Sequence, residues 1–491
     1  MILPSSITVS IVSLAIVSFS GEAAAATRYA NAGLRTGAND GSSWVNAYRS
    51  ADAIAVALAA SVSGDEIWVA QGVYKPTLTT NRAIAITLKS GVAVYGGFIG
   101  NEATRDQRNS AVNVTTVTGD LLGNDSGALN MTDNSNHVFV GSGAAATAIL
   151  DGFRIVGGFA NGATASNLDK GGGLIIVNSG SPTIRSCAFV GNRCTFGGGA
   201  VYIFTAGGTF ADCRFENNVG GSFGGAFDMN NVVGTFDRCV FIGNTAGRAG
   251  ACESYGSSQT RYTNCVFSGN SATGANGGGA LWIGVSSAVT ARNSTFVANS
   301  ATSLAGCIIN TSGTSTIANC ILWANTGPGG TTAANQLTNA GGVTSVAYSI
   351  AQGTLVGTAN LATDPLFVNQ AARDFRLQPN SPAIDSGANA SVPAGTTVDL
   401  AKNPRFFDDL AVANTGTGTG AIVDRGAYER QEPSATPCPA DINSSGSVDA
   451  LDLATLLNNW NSVGTGDLNN DGGVDAQDLA ILLNAWCRCA P

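Results

Sequence analysis

The middle of the chain repeats a pattern of apolar and polar positions every 26 residues, with a single three-residue insertion. Each unit contains an apolar, mostly aromatic residue and a cysteine two positions before it, as in Cys187 and Phe189; Ser294 replaces the cysteine once. Residues two apart point to the same side of a β-strand, so each unit predicts a short strand that buries this pair. The apolar column is Phe189, Phe215, Phe241, Phe267, Phe296 and Leu322.

Two further columns predict corners. An asparagine such as Asn192 follows each aromatic residue by three positions, the wrong parity for a continuing strand. Asparagine tolerates the left-handed conformation of a tight turn, and stacked asparagines can hydrogen-bond along the repeat. A glycine pair such as Gly198-Gly199 marks another corner, where a Cβ would crowd the bend. A second short strand follows it, with Val201 and Ile203 on one side.

Short strands joined by such corners predict a solenoid, because each unit can bury its apolar face only against its neighbours. Propeller blades need about 40 or more residues, so a propeller is excluded. The abundance of glycine (64 residues) and the small share of charged residues (12%) agree with repeated β-turns. The predicted fold is therefore an all-β right-handed parallel β-helix, with a small α-helical domain at its C-terminal end.

The Gly-Gly-Ala and Phe-x-x-Asn units of residues 171–325 resemble the repeats of chlamydial polymorphic outer-membrane proteins and of pectin-lyase-like β-helices. The flanks, residues 27–170 and 360–430, resemble the beginning and the closing segment of secreted bacterial β-helix proteins. These resemblances imply a β-helix over residues 27–359 including an N-terminal cap, a C-terminal cap over 360–430 and a linker over 431–437.

Residues 1–26 resemble an export signal, with an apolar stretch followed by Ala23-Ala24-Ala25-Ala26 as a cleavage site. An uncleaved anchor is the alternative, but serines interrupt a stretch that falls short of about 18 apolar residues. We expect a secreted or cell-surface protein with no membrane span after cleavage. Its net charge of −9 argues against nucleic acid as a partner.

From residue 438 onward, two acidic loops lie 26 residues apart, each leading into a helix with an apolar stripe. Oxygen ligands at loop positions 1, 3, 5, 9 and 12, a backbone carbonyl at 7 and a glycine at 6 follow the logic of a calcium loop. We expect two Ca²⁺ sites, the first weaker because Ser445 replaces an acid. The predicted ligands are Asp441, Asn443, Ser445, Ser447, Asp449, Asp452, Asp467, Asn469, Asp471, Gly473, Asp475 and Asp478.

This twin arrangement, with aspartate at position 12, resembles a type I dockerin over residues 438–491. The resemblance implies calcium-dependent docking to a cohesin-like protein. Positions 10 and 11, Ala450-Leu451 and Ala476-Gln477, depart from the Ser-Thr type pair of clostridial dockerins, which leaves the partner open. Either Cys487 or Cys489 could pair with Cys438 across the two ends of the module.

No catalytic residue is predicted. His137 is the single histidine of the chain and is interpreted as structural. The sequence contains no G-x-S-x-G, P-loop, H-E-x-x-H or zinc-type cysteine spacing. The motifs of polygalacturonases and the calcium site of pectate lyases were not found either. The repeated cysteines are expected to be mainly free thiols in the core.

One outward column combines aromatic rings with carboxylates, a mixture that sugar-binding grooves use. An ordinary solvated sheet face is the alternative interpretation, and acid–base catalysis by the carboxylates is another. The function hypothesis is a secreted β-helix that binds glycan or surface material and is docked through its C-terminal module. The alternative is a polysaccharide lyase or glycoside hydrolase delivered by that module. The column residues are Tyr202, Phe204, Asp228, Asn230, Glu253, Tyr255 and Trp282.

Overall fold

The computed structural model describes residues 25–431, 439–443, 445 and 447–486. Residues 1–24 of the predicted signal segment, most of the linker and the three cysteines of the C-terminal module lie outside these residues. Within residues 25–431 the chain winds into a parallel β-solenoid, as the repeat predicted. Successive coils pair in register along three faces, here named faces A, B and C.

The strands are distributed over these faces as follows. Face A comprises Thr27–Ala30, Glu66–Ala70, Ala93–Phe98, Ile149–Asp151, Thr183–Arg185, Gln259–Thr263, Ala288–Arg292, Thr314–Ala318 and Val343–Ala347. Face B comprises Ile86–Thr87, Phe139–Val140, Leu174–Ile176, Cys252–Tyr255, Leu281–Ile283, Ile308–Asn310 and Leu337–Asn339. Two long strands pass through faces B and A, Val201–Ala211 and Phe227–Asp237. Face C comprises Gly72–Tyr74, Thr115–Thr118, Phe153–Val156, Ala188–Val190, Arg214–Glu216, Val240–Ile242, Val266–Ser268, Thr295–Val297, Ile321–Trp323 and Ile350–Ala351.

Short pieces complete the architecture. Two-residue strands between faces C and B are Phe159–Ala160, Arg193–Cys194, Thr245–Ala246, Ser271–Ala272 and Ser300–Ala301. An antiparallel pair near the C-terminal end of the solenoid is Phe367–Asn369 with Asp374–Leu377. The α-helices are Ala53–Ala60, Ala333–Gln336, Ala450–Asn458 and Ala476–Asn484. The 3-10 helices are Trp44–Asn46, Arg105–Gln107, Met131–Asp133, Thr164–Ser166 and Asn389–Ser391.

The corners use left-handed residues, but not at the predicted position. The left-handed residue lies one position before the ladder asparagine, for example Gly191 (φ 66°) and Asn217 (φ 54°). Asn192 and Asn218 are fully buried, and their amides point along the ladder. The expectation of left-handed ladder asparagines is therefore wrong, because an inward-pointing amide needs the turn to come one residue earlier.

The interior is built from stacks of rings, one ring per coil. The rings of Phe189, Phe215 and Phe241 are parallel within 16°, with centroids 5.2 and 5.0 Å apart. The stack continues to Phe267 and Phe296 at 4.4 and 4.7 Å. The cysteines of the repeat lie beside it as buried free thiols, as expected. The predicted vertical stacking of residues one period apart is therefore confirmed.

Buried asparagines hold one corner of the six successive coils that contain Asn192 to Asn325. The Asn244 Oδ1 atom accepts the backbone N–H of Asn218 at 3.0 Å, and its Nδ2 atom donates to the carbonyl of Phe215 at 2.9 Å. The same pattern repeats from Asn192 to Asn325, where the side chain of Gln336 ends the ladder. Each asparagine thus makes hydrogen bonds to backbone groups of the preceding coil at this corner.

The ends of the solenoid are covered differently. The helix Ala53–Ala60, predicted as an N-terminal cap, buries Ile54 and Leu58 in the main core. The segment 360–430, predicted as a C-terminal cap, packs Phe367 and other apolar side chains against the outward-facing Val297 of face C. It therefore covers the side of the last coils, and it also reaches face A.

Residues 439–486 have a core of their own. Its buried members are Ala440, Val448, Leu456, Val474 and Leu482. Both helices begin with a capping box, in which Asp449 and Asp475 accept backbone N–H groups of the first turn. No helix in the described part of the chain is both long and apolar enough to pass through a bilayer.

Candidate functional site

A groove of about 720 Å³ lies on the outer side of face A and is here named the axial groove. Its floor consists of outward-facing residues of Phe227–Asp237, Gln259–Thr263 and Ala288–Arg292, on three successive coils. Its wall is the segment 390–398, which belongs to the predicted cap. A second depression of about 500 Å³ on the preceding coils shares Thr235 with it. Together the two form a trough along the solenoid axis.

A column of mostly hydroxyl side chains passes through this trough, which Thr209, Thr235 and Thr290 of the column line. The strand register stacks the outward residues of successive coils directly over one another. Adjacent coils lie about 4.8 Å apart, so the hydroxyl groups form a regular row. Within this column Arg261 is the exception. The column is Thr183, Thr209, Thr235, Arg261, Thr290, Thr316 and Ser345.

A second outward column contributes the charged groups of the floor. Arg238, at a left-handed corner, donates to Asp212 at 2.8 Å and also pairs with Asp237. One carboxylate oxygen of Asp237 is buried and accepts no hydrogen bond from any described residue. Burial raises the pKa of Asp237, and the neighbouring Arg238 opposes that rise. Arg292 lies on the same column one coil beyond Thr263.

The wall of the axial groove is anchored to the solenoid by hydrogen bonds. The side chain of Asn264, at a corner of face A, donates to the carbonyl of Val398 at 2.9 Å. The backbone N–H of Arg405 donates to the carbonyl of Thr397 at 2.9 Å, and Arg405 itself is fully buried. Hydrogen bonds therefore hold the wall of the groove in place beside its floor, as expected of a preformed binding site.

The predicted aromatic and acidic column lies on face B, and its register is as expected. Tyr202 pairs with Asp228, Asp228 with Glu253, and Glu253 with Trp282 on consecutive coils. These four side chains are, however, at most 7% exposed. The prediction that they form an open glycan-binding surface is wrong, because the turns that precede each glycine pair fold back over them. Gly197, for example, lies against the Asp228 carboxylate.

Three other members of the predicted column remain near the surface. Phe204 and Tyr255 are 43% and 39% exposed, and Asn230 between them is partly exposed. Phe204 stacks on Tyr202 with centroids 6.5 Å apart, so one edge of the column does present aromatic rings. These three residues are too few to line a groove by themselves.

A compact charge cluster occupies the covered part of the column. The guanidinium of Arg248 lies 4.4 Å from the ring of Phe223 and 4.1 Å from that of Trp282. Its Nε and Nη2 atoms donate to the two carboxylate oxygens of Glu253. The Asp228 carboxylate accepts no hydrogen bond from any described residue. Burial raises the pKa of Asp228 well above its usual range; the adjacent Glu253 adds to that rise. The cluster is closed to a polymer in this structure.

His137 and the acidic residues of segment 360–430 have structural surroundings. His137 is buried, its Nδ1 atom lies 3.0 Å from the carbonyl oxygen of Gly171, and burial lowers its pKa. In the segment, the Asp424 carboxylate accepts the backbone N–H groups of Asp385 and Arg430 at 2.8 and 2.6 Å. Burial raises the pKa of Asp424 to about 7. Carboxylates that bind backbone amides in this way help to hold a fold together.

The two acidic loops have matching backbone geometry. Ser445 and Asp471, at position 5, each donate their backbone N–H to the side-chain oxygens of positions 1 and 3 at 2.9 to 3.2 Å. The position 12 carboxylates accept backbone N–H groups of their own loops, for example Asp478 from Asp475 at 2.8 Å. This bonding lowers the pKa of Asp478. Ser444 and Gly446 lie outside the described residues.

The oxygen donors of these loops are of the chemical types that bind a calcium ion. Carboxylate, amide, hydroxyl and carbonyl oxygens are the ligands that Ca²⁺ takes. Among the described residues, no three Asp, Glu, His or Cys side chains are grouped closely enough to hold a metal on their own. Asp449 and Asp475 at position 9 cap their helices instead. The amide, hydroxyl and carbonyl donors would therefore have to complete each site.

Residues 439–486 match the family model described as the dockerin type I domain. This segment is a type I dockerin domain. Dockerin domains of this type bind calcium and cohesins. No curated protein sequence matches the chain. Among solved structures, a match is the crystal structure of pectate lyase Pel9A, with 16% identity, a TM-score of 0.40, and coverage of 84% of this chain and 98% of that one.

The axial groove was not found from the sequence. Its floor belongs to the variable outward positions of face A, whose threonines look like ordinary solvated strand residues. Its wall comes from residues about 130 positions later, as the contact between Asn264 and Val398 shows. One sequence feature could have indicated the groove. When the 26-residue repeat is aligned over face A, Arg261 is the one charged residue in a column of hydroxyl residues.

Proposed function

We propose that this chain is an extracellular protein that binds a polysaccharide along the axial groove and is attached to a cohesin-like partner through its dockerin domain. The observation that carries the proposal is the row of hydroxyl side chains, which runs parallel to the solenoid axis and passes the wall formed by residues 390–398. A row of donors and acceptors about 4.8 Å apart suits a linear polymer of hydroxylated units. The dockerin domain supplies the attachment, and Ca²⁺ at its loops would stabilise it.

A bulky side chain placed in the axial groove tests whether the groove is the polysaccharide-binding site. Thr235 lies where the two depressions meet, and its side chain is exposed. In affinity electrophoresis with a panel of soluble polysaccharides, Thr235→Trp should weaken binding of every polymer that the native protein retains by at least tenfold. Thr116→Trp is the matched control, because Thr116 is an outward residue of face C. Equal retention of the native protein and Thr235→Trp would refute the groove as the binding site.

Polysaccharide cleavage is the second candidate function, and Asp237 favours it. This carboxyl group lies on the groove floor, has one oxygen without a hydrogen-bond partner among the described residues, and has a raised pKa. A carboxyl group with a raised pKa can serve as a general acid. Incubation of the same panel should then release new reducing ends or unsaturated products, and Asp237→Asn should abolish the release while retaining binding. A panel without any product would leave binding as the function.

A further inference from the structure

The axial groove carries positive charge that the protein does not neutralise. Arg261 is exposed and makes no side-chain hydrogen bond or ion pair with any described residue. Arg292 also lines the groove, is partly buried, and makes no side-chain hydrogen bond or ion pair with any described residue. Two guanidinium groups without a protein acceptor on the floor of a cavity are available to acceptors that a ligand brings.

The acidic residues nearby do not supply that acceptor. Asp212 and Asp237 are both engaged by Arg238, and Lys402 lies 3.7 Å from Asp212. Two carboxylates are thus balanced by two cations, which leaves the charges of Arg261 and Arg292 in excess. The chain as a whole has a net charge of −9. The groove is therefore a local positive site on an acidic protein, where an anionic ligand is favoured by charge complementarity.

The two arginines are spaced for a repeating ligand. Arg261 pairs with Thr290 and Arg292 with Thr263 in adjacent strands, so the arginines are diagonal neighbours. A strand rise of about 3.3 Å per residue and a coil spacing of about 4.8 Å place their Cα atoms roughly 8 Å apart. Three threonine hydroxyls lie beside them. Two anionic groups on one short stretch of a polymer could each meet a guanidinium while the neighbouring hydroxyls bind the sugar.

We propose that the axial groove selects acidic polysaccharides, with Arg261 and Arg292 as the residues that determine this specificity. The proposal rests on the proposed binding function of the same groove. A planar guanidinium forms paired hydrogen bonds with carboxylate or sulfate oxygens, which an uncharged sugar does not offer. Carboxylated and sulfated polymers share this chemistry, so the experiment includes one polymer of each kind.

The test compares charged polymers with their uncharged counterparts. Polygalacturonate and its methyl ester form one pair, and dextran sulfate and dextran the other. For at least one pair, the native protein should bind the charged polymer at least tenfold more tightly, and added salt should reduce the preference. The variant Arg261→Gln/Arg292→Gln should lose that preference and keep its affinity for the uncharged polymer. Arg154→Gln, an exposed arginine of face C, is the matched control.

The outcomes separate the two proposals. If the native protein binds the uncharged polymers as tightly as the charged ones, or if the double variant retains the preference, the arginines do not determine specificity. If Thr235→Trp leaves all binding unchanged, the groove itself is refuted, whatever the preference. Failure of every polymer to bind would refute both. Thermal unfolding of the double variant, together with the charge-retaining Arg261→Lys/Arg292→Lys, shows whether a loss of binding reflects specificity or folding.

Discussion

At the scale of single residues, Asp228 is a carboxyl group whose surroundings oppose its charge. It is 5% exposed and lies beside Glu253, whose own charge is neutralised by Arg248. The other cation that faces it, Lys170, pairs with Asp169 at 2.8 Å. The native state therefore favours protonated Asp228, which means that its pKa in the native state exceeds the value of about 3.9 in the unfolded chain.

We predict that Asp228→Asn stabilises the protein at neutral and alkaline pH. Between the two pKa values the native state binds more protons than the unfolded state, so the free energy of unfolding falls as the pH rises above about 4. Asparagine does not titrate and removes this loss, by about 1–3 kcal/mol. The melting temperature of the variant should match that of the native protein at pH 4 and exceed it at pH 8. Asp106→Asn, at an exposed site, should show no such pH dependence.

The residue difference between the two acidic loops leads to a second prediction. Loop 2 has Asp471 at position 5, and loop 1 has Ser445, although both loops have the same backbone hydrogen bonds. A carboxylate contributes more to calcium affinity than a hydroxyl. Calorimetric titration should show two sites of unequal affinity, with loop 1 the weaker. Ser445→Asp should bring them closer, and Asp471→Ser should weaken loop 2. Tighter binding at loop 1 of the native protein would contradict this.

At the scale of elements, the columns of Phe, Cys and Asn could be predicted because each buried position has the same neighbours in every coil. The register of face B followed from the same argument, including the pairing of Asp228 with Glu253. Burial of that column could not be predicted. It depends on turns such as residues 195–197, whose path over the sheet is set by contacts between coils. The axial groove was missed for a related reason, because its wall is distant in the sequence.

The asparagine ladder gives a prediction at this scale. Asn244→Ala should leave the buried backbone N–H of Asn218 without a partner and remove the side-chain hydrogen bond to the carbonyl of Phe215. Each lost bond of this kind costs about 1–3 kcal/mol, so we expect a total loss of roughly 2–6 kcal/mol. Urea unfolding monitored by circular dichroism measures it. Asn101→Ala, at an exposed position, is the control. An unchanged midpoint for Asn244→Ala would show that the ladder contributes no stability.

At the scale of the whole molecule, the solenoid and the dockerin domain bury their apolar residues in separate clusters. The solenoid core extends over many coils and includes five stacked phenylalanine rings. Among the described residues, the dockerin core has five apolar residues that are fully or almost fully buried. A domain of about 50 residues with so small a core needs additional stabilisation, which a bound metal ion can provide. The two units should therefore respond differently to removal of calcium.

We predict that a chelator unfolds the dockerin domain and leaves the solenoid folded. The loops of the dockerin domain contain acidic oxygens that repel one another without a cation. The metal-binding energy is therefore part of the folding energy of this domain. In scanning calorimetry, EGTA should remove or lower one small transition by ten degrees or more and leave the main transition in place. Leu456→Ala, which opens the dockerin core, should reproduce the effect in the presence of calcium, whereas Leu451→Ala at an exposed position should not. A main transition that shifts with EGTA would instead show that calcium also stabilises the solenoid.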